Sequence, residues 1–130
     1  MFKVDVDSVE AYLRFDPARR GDLEALDLAI RAAGLPRYFH VGTPKGQPGM
    51  RFKMIGYGRT VSAGGLEWPR VGVAFQKAYI SVYLLEAAAL EPFRERLGEV
   101  RMGQGNFSFV RFADLNGAAL TALLDGLQKG

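Results

Sequence analysis

The chain has 130 residues, with 17 Lys and Arg against 14 Asp and Glu, one His, no Cys, and 48% hydrophobic residues. That length is one domain, and the apolar and charged fractions are those of a globular chain rather than a disordered one. Absent cysteine excludes disulfide frameworks, thiol nucleophiles and thiolate metal sites, and a lone histidine excludes any site needing two imidazoles.

Asp7 or Ser8 is placed to cap a short helix whose Val9, Tyr12 and Leu13 fall at i, i+3, i+4. Asp16-Pro17 then reads as an N-cap followed by proline at the first helical position. Leu23, Leu26 and Ile30 form the core-facing stripe of this second helix, and Gly34 and Pro36 stop it. Tyr38-Phe39-His40-Val41 is a short strand, and the loop from Gly42 to Gly49 is rich in turn residues. Arg51-Phe52-Lys53-Met54-Ile55 alternates polar and apolar residues, which gives one wet face and one buried face. Val71–Phe75 and Tyr79–Leu84 are the strongest strands, joined at hairpin length by Gln76-Lys77-Ala78. In the second of them, Ile80, Val82 and Leu84 face one side and Tyr79, Ser81 and Tyr83 the other.

A helix is predicted from about Ala87 to Leu97, with Gly98 as its stop and Pro92, near Glu91, marking its true first turn. Phe107–Phe112 is a further strand. The last helix starts near Asp114 or Asn116 and carries Leu120, Leu123, Leu124 and Leu127 on one stripe. The order is two helices, four strands, a helix, a strand and a helix. It predicts an α+β domain, a mainly antiparallel sheet of about five strands with helices packed on one face. One alternative places the helix after the fourth strand as a crossover between parallel neighbours.

Several spaced motifs resemble those of one family. They are Met54-Ile55-Gly56-Tyr57-Gly58, the run Phe75 to Leu84, and Leu97-Gly98-Glu99-Val100-Arg101-Met102-Gly103-Gln104-Gly105-Asn106 leading into a strand and Leu115. With Pro17-Ala18-Arg19-Arg20 and its Leu-rich helix upstream, they resemble the YdhG-like family (domain-of-unknown-function family 1801) over about Pro17 to Leu124. The resemblance implies a single small intracellular α+β domain with a fold similar to frataxin's and no established catalytic residues. One branch of that family is described as a frataxin-like iron chaperone.

Charge is unevenly placed. Residues 1–30 hold four basic and seven acidic residues, residues 31–77 eight basic residues and Glu67 alone, and residues 78–130 five against six. The basic middle (Arg37, Lys45, Arg51, Lys53, Arg59, Arg70, Lys77) is interleaved with aromatic residues. Arg51, Lys53, Tyr57, Arg59, Trp68, Lys77, Tyr79 and Tyr83 therefore form the candidate ligand-binding face. Tyr57, Trp68, Tyr79 and Tyr83 are expected on the side of the sheet away from the helices, open to a small molecule, a protein or a second copy of the chain as a homodimer. A nucleic-acid footprint calls for a more basic domain, so the same residues are expected to meet the acidic first helices across the fold.

The alternative site is metal. Asp7 with Glu10, and Glu24 with Asp27, are three apart on helices and offer oxygen ligands that suit iron. Asp7, Asp16 and Asp22 are equally explained by the positive end of the helix dipole. Gly103-Gln104-Gly105 ahead of a strand offers backbone N–H groups to an anion, although neither G-x-G continues to a dinucleotide fingerprint. His40 has no assignable orienting partner and no serine lies in a nucleophile-elbow setting, so no catalytic residue is expected. Acids stand where a secretory signal carries its apolar stretch, and no apolar run reaches the roughly 20 residues of a membrane span, so a cytoplasmic protein off the membrane is expected.

Overall fold

A computed structural model describes residues 3–42, 52–61, 64–65 and 67–129. Its centre is a six-stranded sheet of β1 (Arg37–Gly42), β2 (Phe52–Val61), β3 (Glu67–Phe75), β4 (Ile80–Leu84), β5 (Arg101–Met102) and β6 (Asn106–Phe109). The strand order is β1-β2-β3-β4-β6-β5 and every pairing is antiparallel. The α+β class and the antiparallel sheet are as predicted. The sixth strand is β5, only two residues long and too short for a periodic signal. The parallel crossover is excluded, because β4 pairs antiparallel with β6.

Three α-helices, α1 (Val9–Leu13), α2 (Arg20–Ala32) and α3 (Gly117–Lys129), complete the fold. Ser8 caps α1, its hydroxyl accepting from the Ala11 N–H at 3.1 Å. Asn116 caps α3 through the Ala119 N–H, also at 3.1 Å. Asp16 instead caps a turn that leads into α2, accepting from the Ala18 N–H, so the helix starts at Arg20 rather than at Pro17. The segment predicted as a helix from Ala87 is a 3₁₀ helix over Ala87–Phe93. Pro92 lies in its last turn rather than its first, and proline's missing N–H removes a bond a longer helix would need. β6 ends at Phe109, short of the predicted Phe112, which opens a 3₁₀ turn over Phe112–Asp114. Gly98 is not the stop of the segment from Ala87, which ends at Phe93; it makes an isolated bridge with Leu115 at φ 100°, where a Cβ would run into the Asp114 carbonyl.

The core lies between one face of the sheet and the helices. Cross-strand rows Tyr57–Val71–Leu84, Ile55–Val73–Val82–Phe107 and Phe75–Ile80–Phe109 present it from the strands. Tyr12, Leu23, Leu26, Ile30, Leu120, Leu123 and Leu124 close it from the helices, all on their predicted stripes. Tyr57 was expected on the opposite face and is corrected here. It shares the parity of Ile55 and is fully buried beneath α2.

Tyr57 reaches the carboxylate of Asp27, itself 2% exposed on α2. Asp27 accepts from the Tyr57 hydroxyl at 2.7 Å, the Arg37 guanidinium at 2.8 Å and the Arg31 Nε at 3.1 Å. Burial, then the neighbouring carboxylate, holds the Tyr57 hydroxyl protonated well above the usual phenol range. One carboxylate thus joins α2 to β1 and β2. Asp27→Ala would strand a buried hydroxyl and a guanidinium, and is expected to cost about 3–5 kcal/mol in urea denaturation. Asp27→Asn keeps an acceptor for Tyr57 and should lose less.

Candidate functional site

The pairing of β2 with β3 runs only as far as Ile55–Val73 at this end of the sheet. Phe52, Lys53 and Met54 continue paired to β1 alone, while Ala74 and Phe75 continue paired to β4 alone. The strands therefore part. The gap is filled from the helix side by Tyr12, whose hydroxyl accepts the Phe75 N–H at 2.9 Å and whose ring stacks on Phe75 with centroids 5.5 Å apart. Arg19 lies over the Phe75 ring, 4.5 Å from its centroid, and donates to the Gln76 and Tyr79 carbonyls at 2.7 and 3.0 Å. The β3–β4 hairpin is thereby tied to the start of α2.

A cavity of about 480 Å³ occupies this parting. Met54, Ala74, Tyr83 and Asn106 line it from the face away from the helices, with Phe52 and Trp68 at the β2–β3 side. Val4, Tyr12 and Phe75 reach it from the helix side, and Lys3 to Asp5 run along its margin. Glycines beside the cavity let larger side chains lie flat on the sheet. Met54 folds its sulfur across Gly72, 2.6 Å from where a Cβ would stand, and Tyr38 lies on Gly56 in the same way. The polar groups at the cavity are few: Lys53, Gln76, Tyr83 and Asn106 among them. Gln76 Nε2 donates to the Tyr83 hydroxyl at 2.9 Å.

Of the predicted face, Lys53, Trp68 and Tyr83 come together at this cavity. Lys53 is held by Asp5 and Asp7, each at 3.2 Å, and these bonds raise its pKa. Tyr57 is in the core on the other side. Arg59 pairs with Glu67 at 3.4 Å and lies 4.3 Å over the Tyr38 ring. Tyr79 is covered by Arg101 at 5.1 Å, and Lys77 is exposed at the hairpin tip. Arg51 and Lys45 lie outside the described residues. A second concavity of about 430 Å³ is lined by Arg37, Arg59 and Arg70. Its arginines are committed to Asp27, Glu67 and the Leu127 carbonyl. Basic middle and acidic start do meet across the fold.

Three of the four acids offered for metal have basic partners. Asp7 faces Lys53, Glu24 pairs with Arg20 at 3.4 Å, and Asp27 is the buried hub described above. Glu10 is exposed on α1. Among the described residues no three Asp, Glu, His or Cys side chains stand together as a metal would require. The Gly103-Gln104-Gly105 turn has one of its N–H groups and two of its carbonyls engaged within the protein. Its Gly103 N–H goes to the Asn106 carbonyl at 2.7 Å, and the Gly103 and Gln104 carbonyls point at Arg94, both at 2.9 Å.

Sequence reading missed Tyr12, Phe52, Met54, Ala74, Gln76 and Asn106 as site residues. Tyr12 sits on a helical stripe and carries no sign that its hydroxyl substitutes for a strand. The others become neighbours only through the sheet register. Set against family models, curated proteins and solved structures, the chain matches none.

His40 stands behind the aromatic wall, its ring 5.1 Å from Trp68 and 6.1 Å from Phe52. It is 4% exposed, and among the described residues its Nε2 has no hydrogen-bond partner. Burial lowers its pKa against the opposing pull of Glu67, and Arg59 adds to the lowering. The unfolded chain therefore takes up the proton more readily than the folded one. Stability from this residue is full above about 6.5 and is lost as pH falls through the folded-state value. Thermal midpoints should drop between about pH 7 and pH 5, where the lone histidine dominates titration. His40→Phe should flatten that slope in the same scan.

Proposed function

We propose that the protein is a binding module that holds a small, mainly apolar molecule in the cavity where β2 and β3 part. The observation that carries this reading is the cavity itself, about 480 Å³ and walled by Phe52, Trp68 and Tyr83. That volume and that mixture of aromatic lining with a few fixed polar groups are those of small-molecule sites. The resemblance to YdhG-like domains, one branch of which is described as a frataxin-like iron chaperone, is what a second, metal-handling reading rests on. A metal-handling role draws less support, since three of the four acids it would use, Asp7, Glu24 and Asp27, face Lys53, Arg20, Arg31, Arg37 and Tyr57.

Trp68 is the chain's one tryptophan and lines the cavity, so its indole N–H gives a single reporter resonance. Titration with methylnaphthalene should move that resonance to saturation. Ala74→Phe, which fills the cavity from β3, should weaken the response about tenfold or more while the fold persists. A resonance that stays put in the wild-type chain, or an equal response in the filled variant, would remove the reading.

A further inference from the structure

Phe52 and Trp68 line the cavity, and His40 packs against both without lining it. Its ring centroid lies 5.1 Å from that of Trp68 and 6.1 Å from that of Phe52, and those two rings meet each other at 5.8 Å. His40 Nε2 and the Phe52 ring both lie over Gly42, where a Cβ would stand 3.0 Å from the nitrogen and 2.7 Å from the ring. The Tyr38 hydroxyl is 3.4 Å from Nδ1, whereas Nε2 is buried and has no hydrogen-bond partner among the described residues.

We infer that His40 is an acid trigger for the cavity: on taking up a proton it leaves the ring cluster, and the aromatic wall loosens its hold on an apolar ligand. This regulation rests on the binding reading above and concerns that same cavity.

A neutral imidazole carries one N–H and one lone pair, whereas an imidazolium carries two N–H groups and a charge. The Tyr38 hydroxyl can serve one nitrogen only, and the second N–H of the cation would face Gly42 and the Phe52 ring. Aromatic faces attract a cation, but the side chains of Phe52 and Trp68 hold no oxygen to accept its N–H. Charged neighbours do not supply the missing partner. Glu67 on β3 favours the proton but is paired with Arg59 of β2 at 3.4 Å, and Arg59 opposes it. Lys53, next to Phe52, is turned to Asp5 and Asp7. Burial outweighs these charges and disfavours the cation. A protonated His40 therefore gains by reaching water, and Phe52 and Trp68 lose the ring they pack against. Histidine is also the side chain whose ordinary titration falls between pH 5 and 7, and the lysines, carboxylate and phenols that line the cavity belong to classes that titrate outside it.

Methylnaphthalene has no titratable group, so any pH dependence of its binding belongs to the protein. Its affinity, read at the Trp68 indole N–H, should be about threefold or more weaker at pH 5.0 than at pH 7.0, with the dispersed amide spectrum showing a folded chain at both. His40→Phe keeps a ring in the cluster and should bind equally at the two pH values. Linkage is reciprocal, so in the wild-type chain the midpoint of the lone imidazole, followed by its own resonance, should fall by about half a pH unit or more when the cavity is saturated. Equal wild-type affinity at the two pH values, the same pH dependence in His40→Phe, or an imidazole midpoint unmoved by methylnaphthalene would each overturn the trigger while binding at pH 7.0 upholds the pocket. Absence of binding at both pH values overturns pocket and trigger together.

Discussion

The fold turns on one substitution in a hydrogen-bond ladder. Where β2 leaves β3 beyond Ile55–Val73, the Phe75 N–H would face a gap, and a buried unpaired amide is among the costlier defects a sheet can carry. Tyr12 answers it with a side-chain oxygen delivered from α1. The strands can then separate without losing the bond, and a cavity opens in a place that sheet pairing would otherwise close. Arg19, just before α2, fixes the hairpin that follows β3, so Tyr12 and Arg19 together hold this end of the sheet as β2 turns away.

Charge follows the same logic of delivery across the fold. The acidic first thirty residues and the basic middle look like opposed surfaces when counted along the chain. In space they interlock: Lys53 with Asp5 and Asp7 at the margin of the cavity, Arg37 with buried Asp27 in the core. The two contacts differ in kind. The first is exposed on its acidic side and contributes little to stability. The second is desolvated, and its worth lies in what its rupture would expose. A basic segment of this sort is an internal counter-charge, and only its exposed members remain for anything outside the chain.

What could be read from sequence was local. The caps narrowed to Asp7 or Ser8 and to Asp114 or Asn116, the stripes of α2 and α3 and the alternation of Ile80, Val82 and Leu84 follow from neighbours three or four residues away, or two in a strand, and the structure has them in place with Ser8 and Asn116 as the caps. Tyr57 shows where that reach ends. Its alternation with Gly56 and Gly58 was visible, but which side of β2 meets helices depends on register with β1 and β3. The cavity was less legible still. Trp68, Tyr83 and Lys53 were chosen for residue type, whereas Tyr12, Ala74 and Gln76 belong to the site only because β2 and β3 part at a particular pair.

The face of the sheet turned from the helices explains why the space persists instead of collapsing. Its central positions are small: Gly56, Gly72 and Ala74, with Ser81 and Ser108 sharing a hydrogen bond at 2.8 Å across β4 and β6. Met54 lies on Gly72 and Tyr38 on Gly56, so these glycines let larger side chains rest on the sheet, and of the small positions Ala74 borders the cavity. The larger rings, His40, Phe52, Trp68 and Tyr38, are gathered to one side and brace one another at centroid separations of 5.1 to 6.1 Å. A wall built of mutually packed rings resists moving inward, because each ring would give up its neighbours to do so. Ala74, with the mutually packed rings of Phe52 and Trp68, thus borders an apolar hollow where β2 and β3 part.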